Sequence, residues 1–371
     1  MAQIRTLRSR LWLVAAVYLA LRSLFLLALW AATTIRHRDF FTIFARWDAE
    51  WYQSIAQHGY GITVLEKGRT LSNEAFFPLF PLCERFLHAL THFSYIDSGI
   101  VISWACGIWA AIAIYVVTLK LTDSRIALVT AFLWSVYPIA YVENLAYSET
   151  LFTALAASAL LALQRSRFVL AATLAALAGF TRPTGLAVAL AVFIAVATEL
   201  WRNRQARKKI KYYLALVLPF TGWFGFVLYL ARKNHSLFSY FQVQSHWGNG
   251  FDGGLHFAKW IGHYLFSAKF VIGLLLLALC LLICYLLTSL YRVSNYVPVL
   301  IFTTVLVLLS FTTQGYFGSK PRYLLPAFPL LIPIAVAITR ADKRIRWLCY
   351  GVLVLLGVSY GAIAATGHGP P

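Results

Sequence analysis

The sequence is poor in charge, above all in negative charge. Only 12% of its 371 residues are Asp, Glu, Lys or Arg, and only 13 residues are acidic. Soluble globular domains carry roughly twice that fraction of charge. Hydrophobic residues make up 60% of the chain, and its mean hydropathy is +0.72. This composition excludes a water-soluble core and places the chain among multi-span membrane proteins.

Cysteine is also scarce. The chain has five cysteines, an odd number, and four of them lie inside apolar runs where small buried thiols are common. This pattern excludes a disulfide framework and a cysteine-based zinc site. We therefore expect no metal site and no cofactor, with a divalent metal left open as the alternative.

Positive charge, in contrast, is plentiful. Lys and Arg number 32, and the formal net charge is +19. Such an excess would suggest nucleic acid in a soluble protein, but here the basic residues lie between apolar runs, where they report membrane topology. We expect no nucleic-acid partner. The positive-inside rule places the N-terminus and the basic run at 202–211 in the cytoplasm.

The apolar runs predict an all-α, polytopic membrane protein with about eleven transmembrane helices and a single integral membrane domain, 1–371. Large outer loops are expected at 34–97 and 232–269. Ten of the thirteen acidic residues fall on the predicted outer side, so we expect the chemistry on that face. The predicted spans are 11–33, 98–119, 126–141, 150–163, a pair within 168–200, 212–231, 270–291, 297–313, 323–339 and 347–365.

The pair within 168–200 has an unusual pattern. Both of its flanks look cytoplasmic, so the segment must cross outward and return, which leaves each half shorter than a bilayer requires. The halves meet at Phe180–Gly185, FTRPTG. Broken helices are tolerated in membranes where the irregular backbone lines a cavity or packs within protein. The pattern therefore predicts that Arg182 lies at the outer end of a cavity.

The stretch RWDAEWYQSIAQHGY, residues 46–60, is typical of an amphipathic helix in the first outer loop. Glu50 is expected on the solvent-exposed face of this helix, in an ion pair with Arg46. Asp48 falls beside the apolar face, where an ionised carboxylate must either form an ion pair or have a catalytic or binding role. We interpret Asp48 as a catalytic base, with an ion pair to Arg22, Arg182 or Arg322 as the alternative. The expected apolar stripe is Phe44, Trp47, Trp51 and Ile55.

The rest of this loop predicts a second amphipathic helix after Pro78 and Pro81. Its apolar residues recur at helical spacing, and we expect them to lie on the membrane surface. The polar segment from Gly59 to Asn73 is expected to be a loop. Within the first span, Arg22 predicts a nearby counter-charge or phosphate.

The remaining candidates follow from what a lipid-linked donor would require, namely cations for a phosphate and aromatic or polar groups for a sugar and an acceptor. Each has a structural alternative, because arginines at span ends and tryptophans at headgroup level often only mark the interface. The phosphate candidates are Arg182, Lys320 and Arg322. The candidates for contacting sugar or acceptor are Trp47, Trp51, His58, Gln244, His246, Trp247 and Glu149.

Several motifs resemble one known family. The stretch at 46–60 with FFPLFP at 76–81, followed by AYSETLF, FTRPTG, FQVQSHWG and PRYLLPAFPLL, is similar to the PIG-V type family, the GPI mannosyltransferase II proteins and their bacterial relatives, within the GT-C glycosyltransferases. The resemblance implies a multi-span GT-C-like fold with a catalytic aspartate, here Asp48, in the first outer loop. It also implies a donor of the mannosyl phospho-polyprenol type. The short chain favours the bacterial members.

The expected activity is therefore the transfer of a hexose, with mannose implied by the resemblance, from a polyprenyl-phosphate donor to an acceptor hydroxyl. The acceptor is a lipid, a glycan or a protein, and membrane lipids surround the chain. A multi-pass location in a bacterial plasma membrane is expected, or in the endoplasmic reticulum if the chain is eukaryotic. The alternatives are a lipid-linked sugar flippase or transporter, and a non-catalytic subunit of glycan assembly.

Overall fold

The structure is a computed structural model that describes residues 2–66 and 68–367. It is almost entirely helical, with two small antiparallel sheets, β1 (Thr63–Glu66) with β2 (Arg69–Ser72) and β3 (Gly250–Phe251) with β4 (Thr313–Gln314). The α-helices are α1 (Ala2–Ile35), α2 (Asp48–His58), α3 (Leu79–Thr91), α4 (Tyr95–Leu119), α5 (Ser124–Ser135), α6 (Glu149–Gln164), α7 (Phe168–Gly179), α8 (Gly185–Arg202), α9 (Ile210–Val217), α10 (Thr221–Lys233), α11 (Ser239–His246), α12 (Leu255–Leu265), α13 (Phe270–Val293), α14 (Val297–Thr312), α15 (Lys320–Leu324), α16 (Leu331–Arg340) and α17 (Lys343–Ala365).

Six segments of the described chain are long and apolar enough to cross a membrane, namely α1, α4, α8, the unit formed by α9 and α10, α13 and α17. A bent pair, α5 with the 3-10 helix Pro138–Asn144, is a seventh candidate. Four shorter apolar helices accompany them: α6, α7, α14 and Phe328–Arg340. The predicted all-α, multi-span class is confirmed. The predicted number of eleven spans stays a prediction, because a helix as short as the 12-residue α7 is only about 18 Å long.

Helix α6 lies at the centre of the bundle. Nearly every residue from Glu149 to Leu163 is buried, and the helix contacts α4 and α7 along its length. Its many alanines, like those of α7, allow neighbouring helices to approach closely, as is typical of membrane bundles. The N-terminus of α6 lies at the end of the bundle that also carries α2. We call this end the Asp48 end.

The span predicted at 126–141 is broken. Helix α5 ends at Ser135, and after a bend of 73° the chain continues as a 3-10 helix that begins at Pro138. The guanidinium of Arg22 donates to the carbonyls of Ser135 and Ala140, and it lies 3.3 Å from the carboxylate of Glu143. Arg22 therefore compensates backbone groups that the break leaves without helical partners. The counter-charge expected near Arg22 is Glu143.

The predicted break near Arg182 is also present, with one difference. Helix α7 is short, as expected, but α8 has 18 residues and is long enough to span. The turn between them is compact because Gly185 lies against the end of α7. A Cβ atom on Gly185 would lie 2.5 Å from the Cα atom of Gly179, so only glycine fits there.

The loops at the Asp48 end contain more regular structure than we predicted. The segment expected to be a loop forms the hairpin β1–β2, and the loop 232–269 contains α11 and α12. Helix α3 follows the prediction, since it turns its apolar residues outward while Phe80 and Glu84 are buried. Exposure of this apolar face suits a helix that lies on a membrane surface. The exposed residues are Leu82, Phe86, Leu90 and, just after the helix, Phe93.

Candidate active site

Asp48 is the first residue of α2, which makes the helix shorter than predicted. Trp47 precedes it with φ = 58°, a conformation that a helix cannot contain, so Phe44 and Trp47 lie outside the helix. The buried face of α2 consists of Ala49, Tyr52, Ile55 and Ala56 rather than the predicted tryptophan stripe. Asp48 stays at the edge of this face, and the partial positive charge of the helix N-terminus favours its carboxylate.

The predicted surface pair at the start of this stretch is not formed between the described side chains of Arg46 and Glu50. Arg46 instead binds the end of α17, donating to the carbonyl oxygens of Ala365 (3.2 Å) and Gly367 (3.0 Å). Its guanidinium also lies 4.2 Å from the ring centre of Trp47. Glu50 is exposed, as expected. Arg46 therefore anchors the chain just before Asp48 to the last helix of the bundle.

Asp48 faces Arg322, which lies on the short helix α15. Oδ2 of Asp48 accepts from Nη2 of Arg322 at 2.6 Å. The backbone N–H of Asp48 donates to the hydroxyl of Tyr147 at 3.3 Å, and the guanidinium of Arg322 lies over the ring of Tyr147 at 4.8 Å. Of the three arginines considered as partners for Asp48, the structure selects Arg322. The carboxylate is nevertheless 21% exposed, so a substrate can reach it.

Glu149 joins the two arginines of the site. Its Oε1 accepts from Nε of Arg322 at 2.8 Å and from Nη1 of Arg182 at 2.7 Å. Glu149 is 1% exposed, whereas Arg182 is 11% exposed. A residue this deeply buried cannot touch an acceptor in this arrangement, so the acceptor-binding role predicted for Glu149 does not fit its position. Glu149 lies instead beneath the two guanidinium groups and orients them.

A hydroxyl chain holds Arg182 from the other side. Nη1 of Arg182 contacts Oγ of Ser148 at 3.2 Å, and that hydroxyl lies 2.7 Å from the hydroxyl of Tyr52. Burial raises the pKa of Tyr52 above its ordinary value, so the phenol keeps its proton. Both polar contacts of Arg182 use Nη1. Its Nε and Nη2 atoms form no hydrogen bond with the part of the chain that the structure describes.

These four side chains, Asp48, Glu149, Arg182 and Arg322, form what we call the charge cluster. With both carboxylates ionised its charges sum to zero. Buried ion networks are weak evidence for stability, because desolvation offsets much of the attraction between the charges. A balanced cluster that leaves one carboxylate and one guanidinium partly exposed is more typical of a functional site.

Lys320, the third phosphate candidate, lies apart from the charge cluster. Its Nζ donates to the carbonyl of Ser310 at 2.7 Å and to that of Thr313, and it lies 5.1 Å from the ring of Phe257. Burial lowers the pKa of this amine, while the Asp252 carboxylate opposes that effect. Lys320 therefore caps the C-terminus of α14, where cations are favourable.

Two cavities meet at Lys320 and Phe257. One, of about 210 Å³, is lined almost entirely by apolar side chains of α13, α14 and the segment from α15 to α16. The other, of about 250 Å³, is lined by aromatic and polar groups that include His256, Trp260 and Tyr316. The amine of Lys320 thus lies at a boundary between an apolar and a polar space.

An aromatic cluster lies one turn along α2 from Asp48. The ring of Trp51 lies 6.0 Å from that of Phe76 and 5.1 Å from that of Trp247. Nε1 of Trp247 donates to the carbonyl of Ser72 at 3.0 Å, and Gln244 donates to the carbonyl of Ala75 at 3.1 Å. Gln244 therefore holds α11 against the first loop rather than facing the charge cluster.

The remaining predicted residues are not brought to the charge cluster. His58 is the exposed last residue of α2, ten positions after Asp48 and so about 15 Å along the helix. Trp47 is half-buried beneath Arg46, and His246 is exposed beyond Trp247. Sequence reasoning missed Tyr52 and Ser148. The AYSETLF motif contains Ser148, but nothing in its pattern identifies the hydroxyl as a contact of Arg182.

Among the described residues, no group of three or more His, Cys, Asp or Glu side chains is arranged to hold a metal ion. The two carboxylates of the charge cluster both bind Arg322. One oxygen of each, Oδ2 of Asp48 and Oε1 of Glu149, is thus directed at a guanidinium.

No protein-family profile matches the chain, and no curated protein matches it. Solved structures do match. ArnT from Cupriavidus metallidurans bound to undecaprenyl phosphate has a TM-score of 0.50 at 14% identity, over 82% of this chain and 56% of that one. The archaeal oligosaccharyltransferase AglB from Archaeoglobus fulgidus, in complex with an inhibitory peptide and a dolichol-phosphate, has a TM-score of 0.56 at 12% identity, over 100% of this chain and 57% of that one.

At these identities the similarity shows the fold alone. The predicted GT-C-like membrane fold is confirmed by this similarity. The narrower resemblance to the PIG-V type family gains no support from these comparisons. This chain spans little more than half the length of ArnT or AglB.

Proposed function

We propose that the protein is a glycosyltransferase that moves a hexose from a polyprenyl-phosphate donor to an acceptor hydroxyl on the outer face of the membrane. The charge cluster is the observation that carries this proposal. It presents a carboxylate that is 21% exposed and a guanidinium that is 11% exposed, joined through one ion network, at one end of a GT-C-type bundle. Mannose is the sugar that the motif resemblance favours, and the whole chain, 1–371, acts as one integral membrane domain.

In this proposal Asp48 is the general base. The acceptor hydroxyl gives its proton to Asp48 as its oxygen attacks the anomeric carbon of the donor sugar. The bond between that carbon and the phosphate oxygen breaks, and the polyprenyl phosphate leaves with the bonding electrons. A single displacement of this kind inverts the anomeric centre, so a β-linked donor gives an α-linked product. Arg322 holds the carboxylate of Asp48 in place during the transfer.

Arg182 is the proposed ligand of the leaving phosphate. Glu149 and Ser148 hold its Nη1 atom, which leaves Nε and Nη2 without a hydrogen bond among the described residues. Two adjacent N–H donors match two oxygens of a phosphate, and charge-assisted bonds of this kind are about twice as strong as neutral ones. Such fixed cations stabilise negative charge that develops on a leaving group.

The donor lipid is proposed to occupy the two cavities that meet at Lys320. The apolar cavity suits part of a polyprenyl chain, and the polar cavity beside it suits the end of that chain next to the phosphate, which Arg182 is proposed to bind. ArnT and AglB were both solved with a polyprenyl phosphate bound. We extend this ligand class to the present chain because Lys320 provides a buried cation at the boundary of the two spaces.

A transfer assay tests the proposal. The protein is expressed in a strain deleted for it, whose membranes supply the acceptor, and label is followed from mannosyl polyprenyl phosphate into membrane products. Asp48→Asn should lower turnover at least about a hundredfold, since loss of a general base typically costs 10² to 10⁴. Glu50→Gln, an exposed change on the same helix, is the matched control and should lower it far less.

The same variants separate the transferase from a transporter. A flippase that merely moves a lipid-linked sugar should retain transport when Asp48 is replaced by Asn, because the amide is the same size as the carboxylate. Transport that continues in Asp48→Asn, with no label transfer by the unmodified protein, would refute the transferase proposal. Equal losses in Asp48→Asn and Glu50→Gln would refute the assignment of Asp48 as the base.

A further inference from the structure

A cavity on the hairpin side of the aromatic cluster is not used by the mechanism above. It has a volume of about 380 Å³ and is lined by Glu66, Arg69, Leu71, His246 and Trp247. Strand β1 pairs with β2 so that Glu66 faces Arg69 and Val64 faces Leu71, which places the charged pair and Leu71 on one face of the hairpin. The hairpin thus forms one wall of the cavity, and the loop after α11 forms the other.

The walls of this cavity are held in place by several contacts. Trp247 is fixed at its Nε1 atom by the carbonyl of Ser72 and at its ring by Trp51. Oδ1 of Asn73 accepts from the backbone N–H of Gly61 at 3.0 Å, which ties the two ends of the hairpin together. A site whose walls are already ordered loses less free energy when a ligand binds.

A second pair of contacts joins the hairpin to the bundle. Glu74, which follows β2, accepts from Nζ of Lys233 and from Nδ2 of Asn234, each at 2.7 Å. Glu74 is buried, and Lys233 lies at the end of α10. These bonds fix the hairpin relative to α10.

The charged side chains of the cavity are available to a ligand. Neither Glu66 nor Arg69 forms a side-chain hydrogen bond or an ion pair within the part of the chain that the structure describes, and both are exposed. Arg69 reaches over Gly248, where its Nη1 lies 3.3 Å from the position a Cβ would take. The cavity therefore offers a carboxylate acceptor, guanidinium donors and an indole surface within one space.

This set of groups suits a hexopyranose. A carboxylate and a guanidinium can together bind neighbouring hydroxyls, which both donate and accept hydrogen bonds. An aromatic face packs against the apolar C–H face of a sugar ring, and burial of that face adds to the binding free energy. A bare alkyl chain would leave both charges without partners, at a cost in free energy.

The location of the cavity relative to Asp48 indicates which sugar it would hold. Trp51 lies three residues after Asp48, one turn along α2, and its ring centre lies 5.1 Å from that of Trp247, which lines the cavity. The cavity is thus joined to the Asp48 helix through these two rings, and Asp48 itself does not line it. A sugar in the cavity is therefore not the one whose hydroxyl reacts, and because the proposed donor carries a single hexose, this second sugar belongs to the acceptor.

We propose that this cavity, the hairpin subsite, binds a neutral hexopyranose that is already part of the acceptor. The natural acceptor is then a glycan-bearing molecule rather than an unglycosylated lipid or peptide. The assignment of this sugar to the acceptor rests on the proposed transferase function. Binding of a sugar at the hairpin subsite does not depend on catalysis.

The experiment measures sugar binding to the purified full-length protein in detergent by saturation-transfer difference NMR. The probes are methyl α-D-mannopyranoside and methyl α-D-glucopyranoside, and inorganic phosphate serves as a competitor. We expect at least one hexoside to bind, and Glu66→Ala or Arg69→Ala to weaken it about tenfold, as loss of a bond to a charged group predicts. Thr70→Ala is the matched control: Thr70 lies on the opposite face of the hairpin and should change binding less than twofold.

Three results would overturn the proposal. One is that neither hexoside binds the unmodified protein, and another is that binding is unchanged in both Glu66→Ala and Arg69→Ala. The third is that phosphate displaces the hexoside or binds alone through Arg69, which would identify an anionic headgroup instead. Asp48→Asn distinguishes the two proposals: hexoside binding that persists in this variant supports the hairpin subsite whether or not transfer activity was ever observed.

Discussion

The guanidinium of Arg322 lies 2.6 Å from the carboxylate of Asp48, although 274 positions separate the two residues in the chain. The contact joins the first loop of the Asp48 end to the short helix α15, which follows α14. It also brings Asp48 into a network with Glu149, because one guanidinium contacts both carboxylates. The candidate site therefore exists only when the early and late parts of the chain are packed together.

This dependence leads to a prediction about Arg322. Arg322→Met keeps an apolar stem but removes the charge, which leaves Glu149 buried with one guanidinium instead of two. Removing one partner of a buried ion pair typically costs about 3–5 kcal/mol. We expect a clear drop in melting temperature in detergent for Arg322→Met. We expect a smaller drop for Arg322→Met combined with Glu149→Gln, and an equal or larger drop in the double variant would contradict the arrangement.

Much of the fold could be predicted from sequence because hydropathy directly reports which segments enter a membrane. The position of Arg182 at a junction of helices was also predicted, although the reason holds for only one of the two segments: α7 is too short to span, whereas α8 is long enough. The pairing of Asp48 with Arg322 could not be predicted. Three arginines were compatible with the pattern, and only tertiary packing decides among them.

Other differences arose where local backbone geometry overrode the periodic pattern. The apolar spacing continues through Trp47, but its positive φ starts the helix at Asp48. The hairpin β1–β2 was missed because its polar residues resemble a loop, and residues 67–68, Lys-Gly, are not the Asn-Gly or Asp-Gly pair that marks a two-residue hairpin turn. The bend before Pro138 was hidden within an apolar run, and the role of Arg22 became clear only with the broken backbone beside it.

Arg22 supplies a second stability prediction. It satisfies carbonyls of Ser135 and Ala140 and pairs with Glu143, and it is fully buried. Arg22→Lys keeps the charge but has no planar fork that can reach two carbonyls at once. We expect Arg22→Lys to lower the melting temperature and Arg22→Ala to lower it further. Unchanged stability in both variants would show that the bend at Pro138 does not need Arg22.

The carboxyl group of Glu84 predicts a dependence of stability on pH. Glu84 is buried in α3, and neither of its carboxyl oxygens has a hydrogen-bond partner among the described residues. Burial raises its pKa well above the ordinary value. The folded state therefore favours the protonated acid, and its contribution to stability is complete below the ordinary glutamate range and is lost as pH rises through the raised pKa.

Glu84→Gln tests this dependence, because the amide has a similar shape and does not titrate. We expect the melting temperature of the unmodified protein to fall more between pH 5 and pH 8 than that of the variant. Thermal unfolding in detergent at the two pH values gives the comparison. Parallel changes in the two proteins would mean that Glu84 finds a partner or water in solution.

The orientation of the bundle is a separate prediction. If the Asp48 end faces outward, a cysteine at exposed His58 or His256 should react with a membrane-impermeant thiol reagent in intact cells. The experiment is done in a variant whose five native cysteines are replaced. Arg204→Cys, in the basic run assigned to the cytoplasm, is the control and should react only after the cells are lysed. Protection at both His58 and His256, with labelling at Arg204, would reverse the orientation.

The role of Arg182 can be separated from that of a simple counter-charge. Its Nη1 atom contacts Glu149 and Ser148, while Nε and Nη2 form no hydrogen bond with the described residues, so we expect these two donors to bind the donor phosphate. Arg182→Lys keeps the charge but loses the two parallel N–H donors of the guanidinium. It should weaken donor use about tenfold or more. Arg182→Ala should weaken donor use further, without changing the apparent affinity for the acceptor. The measurement is the dependence of the transfer rate on donor concentration.

A structural role would give a different pattern in the same variants. The partner of Arg182 is Glu149 rather than Asp48, so the informative double variant is Arg182→Ala with Glu149→Gln. If Arg182 only balances the charge of Glu149, Arg182→Ala should lower the melting temperature, and the double variant should recover part of it. If Arg182 binds the phosphate, the defect in donor use should persist in the double variant even where stability returns. If donor use and stability both return in the double variant, Arg182 does not bind the phosphate, because the alanine and glutamine side chains of that variant provide no guanidinium to the donor.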